Sequence, residues 1–211
     1  MIRVRRALVV AGCGAALLVG CKKTDDNTAN YTKAINTYYA SHPECLWSPP
    51  RKLPVQVTTS DTSETSGYDA LVDQGLLQRT TAEKKRFLVG SKQVTNYDLT
   101  DTGRNIWSAD PQQPGFGNFC YGTRTVTHID SAAPTTGQVG ATTVVNFHAG
   151  ITTFPGWASA QETRTAYPQV ATDLAGPQAG SATLTDTANG WVVTSGLGRS
   201  PATNADGSIV Q

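Results

Sequence analysis

The side chains best suited to chemistry are few and widely spaced. The chain holds three histidines, His42, His128 and His148, and four cysteines, Cys13, Cys21, Cys45 and Cys120. His128 and His148 fall in two neighbouring stretches of strand composition, so a sheet could bring them together. Two imidazoles make a weak zinc site without a third ligand. Either could instead act as base to a serine, since such triads are defined by geometry and not by chain order. No Gly-x-Ser-x-Gly elbow, phosphate-binding Gly-x-x-x-x-Gly-Lys loop or His-Glu-x-x-His sequence occurs. The acidic residues lie mostly in polar loops, with no pair spaced for acid and base roles. The sequence therefore names no catalytic residue, no metal ligand set and no cofactor.

The cysteines lead further. Arg3, Arg5 and Arg6 precede an apolar run that opens at Ala7 and closes at Leu17-Leu18-Val19-Gly20-Cys21. A basic start, a short apolar stretch and small residues at its end mark a secretory signal. A bilayer span needs about 20 apolar residues, more than this run offers. Leu18-Val19-Gly20-Cys21 resembles the lipobox of bacterial lipoproteins, over the first tenth of the chain. The resemblance implies removal of residues 1–20, a diacylglycerol thioether on Cys21 and an acyl group such as palmitate on its new amine. Two or more chains make a stable anchor. The alternative is an ordinary cleaved signal with a chance cysteine. Lys22 follows, where an Asp retains enterobacterial lipoproteins at the inner membrane. The resemblance thus implies the periplasmic side of the outer membrane, with the outer leaflet of the inner membrane as the alternative.

Export then decides the remaining thiols. Cys13 leaves with the signal and Cys21 takes lipid, so Cys45 and Cys120 remain as a pair. An even pair in an exported domain is expected to form a disulfide, worth roughly 4 kcal/mol by loop entropy. A metal site built from them is weaker, because no Cys-x-x-Cys occurs. His42-Pro43-Glu44 has the His-x-Glu spacing of zinc deaminases but lacks their Pro-Cys-x-x-Cys partner.

Three of the 17 Lys and Arg lie in the first twenty residues, leaving 14 against 16 acidic residues. Such a balance gives no broad basic field for nucleic acid. Residues 21–211 suffice for one sizeable domain or two small ones. Their Thr, Ala, Gly and Ser content suits an exported β-rich body better than a helical bundle.

The elements follow from patterning. Residues 21–29 are a polar tether. Asn30 is expected to cap a helix over 31–41, with Tyr31, Ile35, Tyr38 and Tyr39 as one stripe and Pro43 as its stop. That stripe is expected to be a core contact, with a ligand-binding face as the alternative. Prolines make 45–57 an extended link or edge strand, and 58–66 is a loop. A helix over 68–74 closes at Gly75. Strands at 86–89 and 94–99 flank a 90–92 turn, and a short helix runs from Thr100 to near Trp107.

Leu71-Val72-Asp73-Gln74-Gly75-Leu76-Leu77 and Tyr97-Asp98-Leu99-Thr100-Asp101-Thr102-Gly103-Arg104 resemble the helix, wing and closing helix of winged-helix domains. Lys84, Lys85, Arg86 and Lys92 stand where the wing would be. Asp69, Asp73 and Glu83 dilute their field, and no basic recognition helix is visible. Packing or protein contact is the expected role, and no nucleic-acid partner is expected.

Residues 108–118 read as a boundary. One long strand at 119–129, a turn at 134–138 and a strand at 141–148 follow, then a short helix or turn at Trp157 and a helical segment at 166–174. A hairpin of 182–185 and 191–193 turns at Asn189-Gly190, and the tail is 196–211. This order, with its Phe-Cys-Tyr-Gly strand and closing Gly-Trp-Val-Val, resembles an uncharacterised group of proteobacterial lipoproteins and implies no activity. The expected architecture is α+β: an N-terminal helix and winged-helix-like unit (30–109) followed by a small antiparallel β-sheet (119–195), with Cys45–Cys120 joining the two parts. The expected function is a non-catalytic envelope lipoprotein that binds protein or glycan partners at the periplasmic face of the membrane. Core packing is the expected place of Trp47, Trp107 and Trp157, and a contact surface built from them, if exposed, is the alternative. A periplasmic hydrolase and a membrane-tethered nucleic-acid binder are the competing functions.

Overall fold

Helix α1 (Thr28–Ala40) opens the computed structural model, which describes residues 27–85 and 91–197. Asn27, not Asn30, occupies the cap position, so Thr28 and Ala29 belong to the helix and not to the tether. Asn30 Nδ2 donates back to Asn27 Oδ1 at 3.3 Å. The helix ends where the Ser41 hydroxyl turns back to donate to Tyr38 O at 2.8 Å. Pro43, just beyond, disfavours helix at the residue before it.

Three short strands follow, β1 (Glu44–Cys45), β2 (Arg51–Lys52) and β3 (Val55–Thr58). Helix α2 (Thr62–Asp73) begins inside the segment read as a loop. The Asp61 carboxylate accepts the Glu64 N–H at 3.3 Å, and Glu64 itself stands in the first turn. Both place negative charge at the positive helix end. Gly75 follows at φ 69°, a conformation that favours glycine.

Strands β4 (Leu77–Lys85) and β5 (Ser91–Leu99) pair from Leu77↔Leu99 to Lys85↔Ser91. The strand expected at 86–89 lies outside the described residues. Ser91 and Lys92, expected in a turn, are strand. In β4, buried Leu77 leads into exposed residues from Gln78 to Glu83, so no apolar alternation marks it. β3 completes a three-stranded sheet in the order β3-β5-β4. Helix α3 (Asp101–Ile106) starts at Thr100, whose Oγ1 accepts the Gly103 N–H at 2.9 Å and donates to Gly75 O at 2.6 Å. That hydroxyl locks α3 to the end of α2, and a Cβ on Gly103 would collide with the Leu76 carbonyl oxygen.

Strand β6 (Trp107–Ala109) pairs with β7 (Phe116–Gly122), so the segment read as a boundary closes a hairpin. β7 also pairs with β1 and β2. The chain then leaves this sheet at Thr123, and β8 (Arg124–Ala132) enters another. The single strand expected at 119–129 is therefore two. Phe119 and Tyr121 bury in one core, whereas Val126 and Ile129 pack against a second.

Strand β9 (Thr142–Ile151) is followed by helices α4 (Gly156–Ser159), α5 (Gln161–Ala166) and α6 (Pro168–Leu174). The segment expected as one helix at 166–174 is broken because Pro168 holds Tyr167 at φ −127° and ψ 80°. β10 (Gln178–Thr187) and β11 (Gly190–Ser195) form the closing hairpin, with Gly190 at φ 105°. The last four strands make an antiparallel sheet in the order β11-β10-β9-β8. α1 lies across one face of it through Tyr31, Ala34 and Ile35, which pack with Val145, Phe147 and Leu184. The fold is α+β. No helix among the described residues is long and apolar enough to cross a membrane.

Candidate functional site

Cys21 lies outside the described residues, as do the side chains of Lys84, Lys85, Arg86 and Lys92. Cys45 and Cys120 are disulfide-bonded. They stand directly opposite each other in the β1–β7 pair, so the bond staples one sheet to which both parts of the chain contribute.

His42-Pro43-Glu44-Cys45 is drawn apart into separate tasks. The His42 ring stacks on Tyr38 with centroids 3.9 Å apart, and its Nδ1 lies 2.8 Å from Tyr38 O. Glu44 turns to Arg124 and Cys45 to Cys120. Arg124 is the centre of a buried network. Its Nε donates to Glu44 at 2.6 Å and its Nη2 to Asp173 at 2.7 Å, and the Tyr121 hydroxyl donates to Asp173 at 2.6 Å. The Asp173 side chain is 0% exposed and that of Arg124 7%. Burial works to lower the Arg124 pKa, but the bonds and charges of Glu44 and Asp173 outweigh it and hold the value raised. Burial, reinforced by Asp173, pushes the Tyr121 phenol up. The network joins β1, β7, β8 and α6 as a clamp.

His128 and His148 are cross-strand partners on β8 and β9. His148 Nδ1 is 3.0 Å from the Asp130 carboxylate, and His128 Nε2 is 3.8 Å from it. A base and an orienting carboxylate therefore meet on a solvent-facing part of the sheet. Ser131, beside them, accepts a bond from Asn146 at 3.0 Å. Among the described residues no group of three or more His, Cys, Asp or Glu is placed to hold a metal ion.

The three tryptophans do not form a surface. Trp47 lies 6.1 Å from Trp107, 5.9 Å from Phe119 and 6.4 Å from Tyr167, and Trp157 lies 6.1 Å from Phe119. All three pack against the core that α2 and β7 share. This is the core packing expected of each of them.

A groove lies instead between α1 and β11. The α1 stripe divides at its edge: Tyr31 and Ile35 bury on the sheet, with the Tyr31 ring edge-on to Trp191 at 5.1 Å. Tyr38 turns outward beside them. The recess holds about 460 Å³, within the range of ligand sites. Buried Ala34 and Trp191, with half-buried Val193, make an apolar floor. Exposed Lys33, Thr37 and Asn189 make a polar rim. Tyr38, on the stripe whose alternative role is a ligand-binding face, lines the groove, and Asn30, Lys33 and Thr37 form a polar row beside that stripe at helical spacing. What the sequence does not display is that β11 lies under that row.

Other recesses are less built. One of about 190 Å³ is lined by Trp47, Arg51, Tyr68 and Tyr167. One of about 60 Å³ meets Arg124 and Tyr39. A wide opening of about 520 Å³ between α2 and α5 carries Asp69, Asp73 and Glu162. None of these four recesses is lined by His128, Asp130 or His148. Comparison with protein-family models, with curated proteins and with solved structures finds no match for this chain.

Proposed function

We propose that this chain is a non-catalytic envelope lipoprotein, anchored through Cys21 to the periplasmic side of the outer membrane, that binds a protein or glycan partner in the α1–β11 groove. The groove carries this reading: it combines an apolar floor with a polar rim, the division found where a surface is covered by a partner. The basic start and the lipobox-like Leu18-Val19-Gly20-Cys21 support the anchor. Residues 62–106 serve as a winged-helix-like unit used for packing. The order α2, β4, β5, α3 supports this, and Arg79 on the hairpin is held by Asp69 at 2.7 Å.

The test is photocrosslinking in the native host. A benzophenone amino acid at Asn189, on the groove rim, is expected to capture a defined envelope component, whereas one at Gln112, on the β6–β7 loop and outside the groove lining, is not. Equal capture from both positions, or none from Asn189, would refute the assignment.

A periplasmic hydrolase is the second reading, favoured by the His148–Asp130 pair beside Ser131. A fluorophosphonate label on Ser131 that disappears in His148→Ala would establish it.

A further inference from the structure

We infer that the groove accepts an extended peptide as an added strand on β11, with an acidic group of that peptide set against Lys33. The inference rests on the groove being the binding site, and adds to it the chemistry of the partner.

The two edges of the four-stranded sheet differ. β8 is broken by irregularities between Val126 and His128 and between Ile129 and Ser131. It carries Asp130, and its Val126 N–H donates to Asn36 of α1 at 2.8 Å. Bulges, inward or edge charges and a covering element are the means by which sheet edges refuse a further strand. α1 flanks β11 as closely as it flanks β8, and the β11 register shifts once beyond Val193, but β11 has no edge charge. Gly190-Trp191-Val192-Val193-Thr194-Ser195 contains no charge and no proline, and its register with β10 is regular from Gly190 to Val193. Among the described residues no strand pairs with its outer side. Alternate residues of such an edge turn N–H and C=O groups outward, ready to pair.

The groove runs along this edge with α1 as its other wall. Its α1 side extends from Asn30 to Ser41, the residue that caps the helix, a length of about 16 Å at 1.5 Å per residue. A strand rises about 3.3 Å per residue, so about five residues of an extended peptide would fill it. Alternate side chains of that peptide would meet Ala34, Trp191 and Val193. The others would stand beside Val192, which is 43% exposed on the outer face, and cross-strand neighbours favour a β-branched or aromatic residue there. Lys33 is the only charged side chain among those lining the groove. Charge complementarity therefore selects an acidic residue or a terminal carboxylate. Strand addition with pockets for alternate side chains is an established recognition mode.

The experiment uses detergent-solubilised mature protein and a phage-displayed library of random heptapeptides. Selection is expected to enrich peptides with alternating β-branched or aromatic residues and an acidic residue. The best peptide, synthesised, should slow exchange of those amides of residues 191–194 that face away from β10 at least about tenfold. Methylating its alternate backbone nitrogens should weaken it at least about tenfold, and Lys33→Glu, at an exposed site, about five- to tenfold, in keeping with one rim charge reversed. No enrichment, protection elsewhere, or indifference to N-methylation would overturn the inference. So would slow exchange of these amides in the free protein: concentration-independent slowing would mean that the chain's own segment fills the edge, and concentration-dependent slowing a second copy. If the benzophenone at Asn189 captures a partner while the peptide results fail, the groove remains the site and only strand addition is lost. If both fail, both are lost.

Discussion

Arg124 keeps its charge in the interior because two carboxylates arrive from β1 and α6 to receive it, and the Tyr121 phenol donates to one of them. Removing the guanidinium would take one charged partner from Asp173, whose side chain is 0% exposed. Arg124→Met is expected to cost about 3–5 kcal/mol, the range for removing one member of a buried pair. Urea unfolding of Arg124→Met, Asp173→Asn and the double variant checks this, and the double should cost less than the sum of the singles. The tyrosines give a second handle. Burial raises the pKa of Tyr39, Tyr68, Tyr97, Tyr121 and Tyr167 above the ordinary 10.0. The folded state thus holds protons that the unfolded chain releases. Their contribution is whole below pH 10 and is lost as pH rises above it. Stability should be flat up to about pH 9 and fall beyond pH 10, with phenolate absorbance from these rings appearing only as the protein unfolds. Ionisation of all tyrosines near their ordinary value in folded protein would contradict this burial.

Elements were legible where apolar spacing and turn chemistry agreed. The Asn189-Gly190 hairpin, the Gly75 helix end and the short helix after Thr100 are written in residue types whose backbone or capping chemistry is specific. β4 was not legible, since Leu77 alone of its described side chains is buried and Gln78–Glu83 look like loop. The division at Thr123 was hidden for a different reason: β-branched and aromatic residues run through it without a turn signal, and only the two separate cores impose the break. The α1–β11 groove was hidden because it depends on two elements from opposite ends of the chain. Gly103 tests the local packing of α3. Gly103→Ala drives a methyl into the Leu76 carbonyl, so it should destabilise by about 1–3 kcal/mol, measured by thermal unfolding. An unchanged midpoint would mean that α3 does not rest on the end of α2 as described.

At the scale of the whole molecule, β7 is the seam. It pairs with β1, β2 and β6 from the first part of the chain, carries one half of the disulfide, and leads directly into β8 of the second sheet. One core gathers around α2 and β7, the other between α1 and the closing sheet, and the Arg124 clamp spans them. The proposed anchor gives this body a setting. An oxidising compartment suits the Cys45–Cys120 bond, and a short polar tether before α1 would hold the groove near the membrane surface. The most direct measurement is membrane fractionation of the native protein and Cys21→Ala in the same host, with mass spectrometry of the mature N-terminus. The account expects native protein in the outer-membrane fraction with a lipid-modified Cys21, and Cys21→Ala released from membranes. Undiminished membrane association of Cys21→Ala, or a mature N-terminus without lipid, would contradict it.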